Sequence, residues 1–362
     1  MKKLIKNAMH KGALTDILVQ DGKIAAVVPA TEDWGDISYT DVAGAKIYPG
    51  LIDIHSHGAI GYDMATEYGH LPELADWYLA HGITTWYPTV TTTSVQNFVA
   101  ATHQPRSLGH GANMPGFHLE GPFLSLKYKG AQNPDYIIPP TMELIDKCEG
   151  VSLITVAPEI PGAIEFIKEV TSRGVVVALG HTDTDYDTAV RAFRAGARSI
   201  THTFNGMKGI HHRDPGVIGA GADEGGYAQL ISDGVHVHPS AVRLLYKLYG
   251  REHITLISDT VSAADMPDGE YSLAGLSVTV SSGVARLSEG GNLAGSTTNL
   301  FDCVKCAIRM GIPEEDAVYM ATAAPARLMG LNKGIIEVGY DADFIVVDGE
   351  FNLIKAIVRG EF

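Results

Sequence analysis

The stretch VSLITVAPEIPGAIEFIKEVTSRGVVVALGHTDTDYDTAVRAFRAGARSITHTFN, residues 151–205, decides the fold. Three apolar runs, VSLITVAPE (151–159), GVVVALGHT (174–182) and RSITHTFN (198–205), alternate with AIEFIKEVTSRG and YDTAVRAFRAG, which read as helices. Both helical segments stop at a glycine, Gly174 and Gly196, as a helix end favours. Repeated strand–helix–strand predicts parallel strands joined by crossover helices. The pattern continues on both sides. LIDIHSH (51–57), GITTWYPTV (82–90) and MPGFHLEGP (114–122) come before it; YAQLISDGVHVH (227–238) and HITLISDT (253–260) come after. PELADWYLAHG and PSAVRLLYKLYG supply further helices. Eight such runs over about 210 residues predict an α/β chain folded as a (β/α)8, TIM-like barrel.

The chain ends read differently. Short apolar runs and turns alternate over the first 49 residues and again in KGIIEVG, YDADFIVVDGEF and NLIKAIVRGEF. Asp21-Gly22 and Asp348-Gly349 each separate two strand-like runs, a hairpin signal. Both ends therefore build one small β domain, residues 1–49 with 331–362, around a barrel of residues 50–330. The Gly/Ser-rich segment 268–295 reads as a β-rich insertion after the eighth strand and before a final helix.

Composition narrows the function. Of 362 residues, 45% are apolar and 19% charged, which fits a globular protein and not a disordered one. The 27 Lys+Arg against 42 Asp+Glu give −15, a charge that repels nucleic acid and anionic membrane, so neither is an expected partner. An anionic ligand would need a local basic pocket. Cys148, Cys303 and Cys306 are too few for a disulfide framework, and the Cys303/Cys306 pair lies on a helix-like face with Phe301 and Val304, as core thiols would. No signal peptide and no apolar run of membrane-spanning length is present, which predicts a cytoplasmic protein.

The chemistry sits where the runs end. His55 and His57 close the first run, His118 and Glu120 the third, His181 the fifth, and His202 and Asn205 the sixth. Asp233 and His236 close the seventh and Asp259 the eighth. In a barrel these strand ends converge on the catalytic face. Imidazoles and carboxylates gathered there are ligands for a divalent metal ion. Period two places His55 and His57 on one face of their strand.

At these positions the sequence resembles the N-acetylglucosamine-6-phosphate deacetylases of the amidohydrolase superfamily. The matching pieces are PGLIDIHSHG (49–58), GFHLEGPF (116–123), KGAQNP (129–134), APE (157–159), GHT (180–182), THTFNGM (201–207), HHRDPGVIGA (211–220), SDGVHVHP (232–239), SDT (258–260) and LAGST (293–297). The resemblance implies a metal-dependent hydrolase barrel with a small β-sandwich made by the chain ends. It implies Glu120, His181 and His202 as ligands of the main metal and Asp259 as general acid/base. It further implies substrate contacts from Ala131, Gln132, Asn205, Gly206, Arg213, His236, Leu293, Ala294 and Gly295. Some members carry His-x-His on the first strand and hold a second metal, which here would use His55 and His57. The family is often dimeric, with the arginine at the position of Arg213 reaching the phosphate bound in the neighbouring subunit. Gln132 departs from the family, which usually has His there; an amide donates a hydrogen bond but carries no positive charge.

The expected reaction is hydrolysis of the acetamide of N-acetylglucosamine 6-phosphate, in amino-sugar catabolism. The donor set suits Zn²⁺ first, then Fe²⁺, Mn²⁺ or Co²⁺, with one or two ions per subunit. Two other readings are the same hydrolysis on N-acetylgalactosamine 6-phosphate and a non-catalytic metal-binding protein on this fold. Asp259 beside the ligands argues against the last, because a scaffold needs no base next to a metal. No lysine follows VSLITVAPE, where many other amidohydrolases carry a carbamylated bridging lysine.

Overall fold

Eight parallel strands pair in sequence order: Leu51–Ser56, Ile83–Thr91, Phe117–Glu120, Val151–Val156, Val176–Leu179, Ser199–Ile200, Tyr227–Ile231 and Ile254–Ile257. Seven fall inside their apolar runs, and the second runs one residue past its own, to Thr91. The structure, a computed structural model, describes residues 2–30 and 33–361. The barrel closes beyond the eighth strand, where Asp259 N–H donates to His55 O (2.9 Å) and His57 N–H to Thr260 O (2.6 Å). Below this seam Ser258 Oγ donates to Asp53 Oδ2 at 2.5 Å. Burial pushes the Asp53 carboxyl up to about 6, against the opposing pull of its bonds to Ser258 and His55.

Helices Leu71–Ala80, Ala163–Ser172, Tyr186–Ala195 and Pro239–Tyr249 lie where the pattern places them. Tyr186–Ala195 shows why. The Asp185 carboxylate accepts the Thr188 N–H at its start, Gly196 closes it at φ 123°, and Ala189, Val190, Ala192 and Phe193 make its buried face. Burying one side chain the size of Phe193 contributes about 1.5–3 kcal/mol. Among the described residues no helix is long and apolar enough to cross a membrane.

Segment 268–295 is a three-stranded antiparallel sheet, Gly269–Leu273, Leu276–Ser281 and Val284–Leu287. Beyond this sheet the chain departs from the single helix expected. There are three helices, Leu300–Arg309, Glu314–Ala321 and Ala323–Met329. Pro313 caps the second, and Thr322, at φ −133° and ψ −78°, breaks the chain before the third. Cys303 and Cys306 are buried in the first, and burial pushes the Cys303 thiol well up, as suits a core thiol.

The chain ends form one seven-stranded sheet containing Lys2–His10, Ala13–Gln20, Lys23–Pro29, Tyr39–Asp41, Lys46–Pro49, Phe344–Val347 and Leu353–Ile357. Its far edge curls back: Ile24 N–H bonds to Tyr340 O and Ala342 N–H to Gly22 O, so Ile5, Ile17, Ile24, Phe344 and Ile357 share one core. Asp21 and Gly22, both at positive φ (52° and 76°), make the tight hairpin read from the sequence.

Inside the barrel a polar layer supports the mouth. Thr89 Oγ1 meets His118 Nδ1 (3.1 Å), His118 Nε2 meets Thr155 Oγ1 (2.9 Å), and Thr155 meets Thr201 (2.9 Å). Burial, together with the imidazole of His55, holds His118 well below the ordinary imidazole value, so it is neutral. With both ring nitrogens engaged, His118 belongs to this floor and not to the ligand groups above it.

Candidate active site

Six side chains from five strand ends meet at the mouth. Glu120 lies at the centre. Its Oε1 is 2.9 Å from His202 Nε2 and 3.1 Å from His181 Nε2. Its Oε2 is 3.4 Å from His57 Nε2, and its Oε1 is 3.4 Å from His55 Nε2. Asp259 Oδ1 completes the group, 3.1 Å from His57 Nε2 and 3.4 Å from His55 Nε2. Two overlapping triads could hold an ion, His55/His57/Glu120 and Glu120/His181/His202, and all five residues are buried.

The outward ring nitrogens explain why the inward ones converge. His55 Nδ1 faces Gln229 Oε1 (3.1 Å), His57 Nδ1 faces Thr89 O (3.2 Å), His181 Nδ1 faces Tyr128 O (2.9 Å) and His202 Nδ1 faces Asn205 O (3.1 Å). Each of these outward partners can accept a hydrogen bond from Nδ1, and anchoring the ring there aims Nε2 at the centre. Metal-binding histidines are oriented in this way.

The APE and GHT motifs also find a local reason. Glu159 accepts from Thr182 Oγ1 (2.5 Å) and Asp183 N–H (2.6 Å), which pins the turn carrying His181. Gly206 sits at φ 60°, and a Cβ there would lie 3.0 Å from His181 Nδ1. The loop after the sixth strand can approach the imidazole only as glycine.

Charge in the cluster is divided. Burial alone would raise Glu120, but His55, His181 and His202 hold it well below the usual carboxylate range. Burial likewise opposes ionisation of Asp259, and His55 and His57 overcome it, so Asp259 is also anionic. Burial lowers His55 on its own, yet the carboxylates of Glu120 and Asp259 push it up to about 9. His202, lowered mainly by burial, stays neutral. Two carboxylates and four imidazole Nε2 atoms converging in one buried pocket make a donor set suited to a divalent cation.

Above the cluster opens a cavity of about 410 Å³, lined by Ala131, Gln132, Asn205, Gly206, His236, Leu293 and Gly295 with His57, Glu120, His181, His202 and Asp259. Two of the expected substrate contacts are elsewhere. Ala294 is buried in the core of the inserted sheet, with its N–H bonded to Ala285 O, so it turns away from the cavity. Arg213 is on an exposed loop, its Nη1 2.9 Å from His212 Nε2, and does not line the cavity. Sequence reading missed Lys127, Tyr128, Phe204, Leu273 and Asn292 on the walls, and the support that Asp233 Oδ2 gives His236 Nδ1 at 2.6 Å. The i, i+3 spacing of Asp233 and His236 in SDGVHVH carried that signal. The wall residues, contributed by irregular loops, had none.

Comparison with known proteins agrees with this geometry. Residues 47–362 match the Amidohydrolase family, whose members depend on metal ions. The N-acetylglucosamine-6-phosphate deacetylase of Vibrio furnissii is 37% identical, over 87% of this chain and 82% of its own. The N-acetylgalactosamine-6-phosphate deacetylase of Escherichia coli is 33% identical, over 97% of this chain and 96% of its own. The crystal structure of N-acetylglucosamine-6-phosphate deacetylase from Pasteurella multocida superposes with a TM-score of 0.93 at 28% identity, over 100% of this chain and 99% of its own. From its barrel, its family match and these relatives, the chain belongs to the amidohydrolase family.

Proposed function

We propose that the protein hydrolyses the acetamide of N-acetyl-D-glucosamine 6-phosphate to D-glucosamine 6-phosphate and acetate. One observation carries this reading: Asp259 lies beside two triads able to hold a metal ion at the floor of a sugar-sized cavity. The four inward Nε2 atoms and two carboxylates fit a divalent ion, Zn²⁺ first and Fe²⁺, Mn²⁺ or Co²⁺ next. Glu120, His181 and His202 would hold the main ion, and His55 and His57 with Glu120 a second. Such an ion, when bound, acts as a Lewis acid and lowers the pKa of water towards ~7.

The chain's own groups do the rest. Asp259 begins as a carboxylate and takes a proton from the water that attacks the acetyl carbonyl carbon. It then gives that proton to the amine nitrogen as the C–N bond breaks, returning to its starting state. Ala131, Gln132, Asn205, Gly206, Leu293 and Gly295 shape the space for the sugar. Burial lowers the His236 imidazole, but Asp233 outweighs that and holds it above its ordinary value, so it offers a charged donor to the anionic substrate. Arg213, exposed and outside its own cavity, suits a role across a homodimer, where its planar fork would grip the neighbour's phosphate.

The Escherichia coli relative supports a second reading, N-acetylgalactosamine 6-phosphate as substrate, which differs at one hydroxyl. Acetate release from the two sugar phosphates, assayed side by side, tests both. The gluco sugar should give the higher kcat/KM. A galacto preference of tenfold or more would move the assignment, and no acetate from either would reject it.

A further inference from the structure

Glu120 is the last residue of its strand and precedes a glycine, so the strand alone does not fix its carboxylate. A closed ring of three hydrogen bonds does. Thr92 Oγ1 donates to Glu120 O (2.9 Å), Thr92 N–H donates to Gln132 Oε1 (2.9 Å), and Gln132 Nε2 donates to Glu120 Oε2 (2.5 Å). We propose that Gln132 is a positioning residue that, through this ring, turns Glu120 Oε1 toward His181 and His202 and so sets the affinity of the main metal site. The inference rests on the metal-dependent reading above and deepens it.

The amide has one workable orientation. Flipped, its oxygen would face the Glu120 carboxylate and its NH₂ group the Thr92 N–H, losing both bonds. Gln132 is 2% exposed, and its own N–H is bonded to Lys129 O (2.9 Å), so the side chain starts from a fixed turn. Gly121 belongs to the same device. It lies at φ 95°, and a Cβ there would come within 2.2 Å of Thr92 Oγ1, so a side chain would push Thr92 out of the ring. The two oxygens of Glu120 are thereby given different surroundings: Oε2 takes the amide and faces His57 at 3.4 Å, while Oε1 lies 2.9 Å from His202 and 3.1 Å from His181, with His55 farther off at 3.4 Å. A neutral donor suits this place. A lysine could also bond Oε2, but its charge would neutralise the carboxylate that a cation needs, whereas the amide orients Glu120 and leaves its charge intact.

The test is metal affinity, read without catalysis. Full-length apoprotein is titrated with Zn²⁺ against a chromophoric chelator, and separately with Co²⁺ while its visible spectrum is recorded. Gln132→Met keeps the length and removes both amide bonds; it should bind Zn²⁺ roughly 10–100-fold more weakly and alter the cobalt spectrum, the usual scale for losing a group that orients a ligand. Thr92→Val keeps the backbone N–H and removes the hydroxyl; it should weaken binding about threefold or more. The double variant should lose less than the product of the two, because both act through one ring. Gln132→Met within threefold of wild type, with an unchanged cobalt spectrum, overturns the proposal. Should Gln132→Met fail to fold, wild-type affinity in Thr92→Val overturns it instead. Wild-type protein that binds neither ion at micromolar concentration overturns this inference and the functional reading together. Acetate release by wild type with unaltered affinity in the variants overturns this inference alone.

Discussion

His181, His202 and Asp259 share a property that no sequence pattern announces. Their φ angles are 46°, 26° and 52°, in the left-handed region that non-glycine residues avoid at a cost of about 1–3 kcal/mol each. Backbone bonds hold them there: Ser125 N–H to His181 O, Asn205 N–H to His202 O, and Asp259 N–H to His55 O. The turned backbone aims each side chain into the mouth. Asn tolerates this conformation, so Asp259→Asn should keep fold and metal while losing proton transfer. Its kcat should fall ~10²–10⁴-fold, measured as acetate release; a loss under about fivefold would reject the role of Asp259. Replacing Glu120, His181 or His202 by Ala should lower bound metal and activity together, as elemental analysis beside the same assay would show. His236 gives a pH signature. Its pKa is raised from 6.5 in the folded protein, so the stabilisation from its pairing with Asp233 is complete below 6.5 and lost as pH rises through the raised value. Phosphate binding should weaken over the same interval. KM for the sugar phosphate should rise there in the wild type and stay flatter in His236→Asn; identical pH profiles would remove the charged role.

At the level of elements, the three-stranded insertion forms a wall of the cavity, with Leu273 at its first strand and Asn292, Leu293 and Gly295 just after its last. Replacing residues 269–287 by a short Gly/Ser linker should leave the eight-stranded barrel folded and raise KM at least tenfold, with a smaller change in metal content. An unchanged KM would show that this wall does not touch substrate. The same contrast explains what the sequence made legible. Eight strands could be read because each is a short apolar run, six of them closing on His, Asp or Glu, and their helices because apolar spacing and terminal glycines agree. The sixth strand is only Ser199–Ile200, shorter than its run, because the chain turns towards the left-handed His202 and aims that side chain into the mouth. The helices after residue 300 could not be separated by composition, since Thr322 breaks them by backbone geometry within an alanine-rich stretch. The six cluster residues were legible as strand ends. Lys127, Asn292 and Phe204 were not, because loop positions carry no periodicity, and Ala294 lies in the core of the inserted sheet between two neighbours that line the cavity.

For the whole molecule, a net charge of −15 sets the problem of capturing a sugar phosphate, and the solution has to be local. Arg213→Ala should raise KM for the 6-phosphate roughly 10–100-fold, the loss of one charge-assisted contact, and leave the unphosphorylated sugar nearly unaffected. Arg213→Lys should recover only part of this, since a point charge lacks the bidentate fork. With Arg213 acting across a homodimer as proposed, mixing Arg213→Ala with Asp259→Asn subunits should restore activity, because one site in each mixed dimer then has neither defect. No recovery in verified mixed dimers would show that Arg213 does not act across the interface. The central claim is that the cluster of His55, His57, Glu120, His181, His202 and Asp259 is a metal-dependent acetamide hydrolase. It is tested most directly by acetate release from N-acetylglucosamine 6-phosphate, using protein stripped by a chelator and then titrated with Zn²⁺. Activity should vanish on stripping and return in proportion to bound metal, saturating at one or two equivalents per subunit. Acetate released at the full rate by metal-free protein, or none released by fully reloaded protein, would contradict the account.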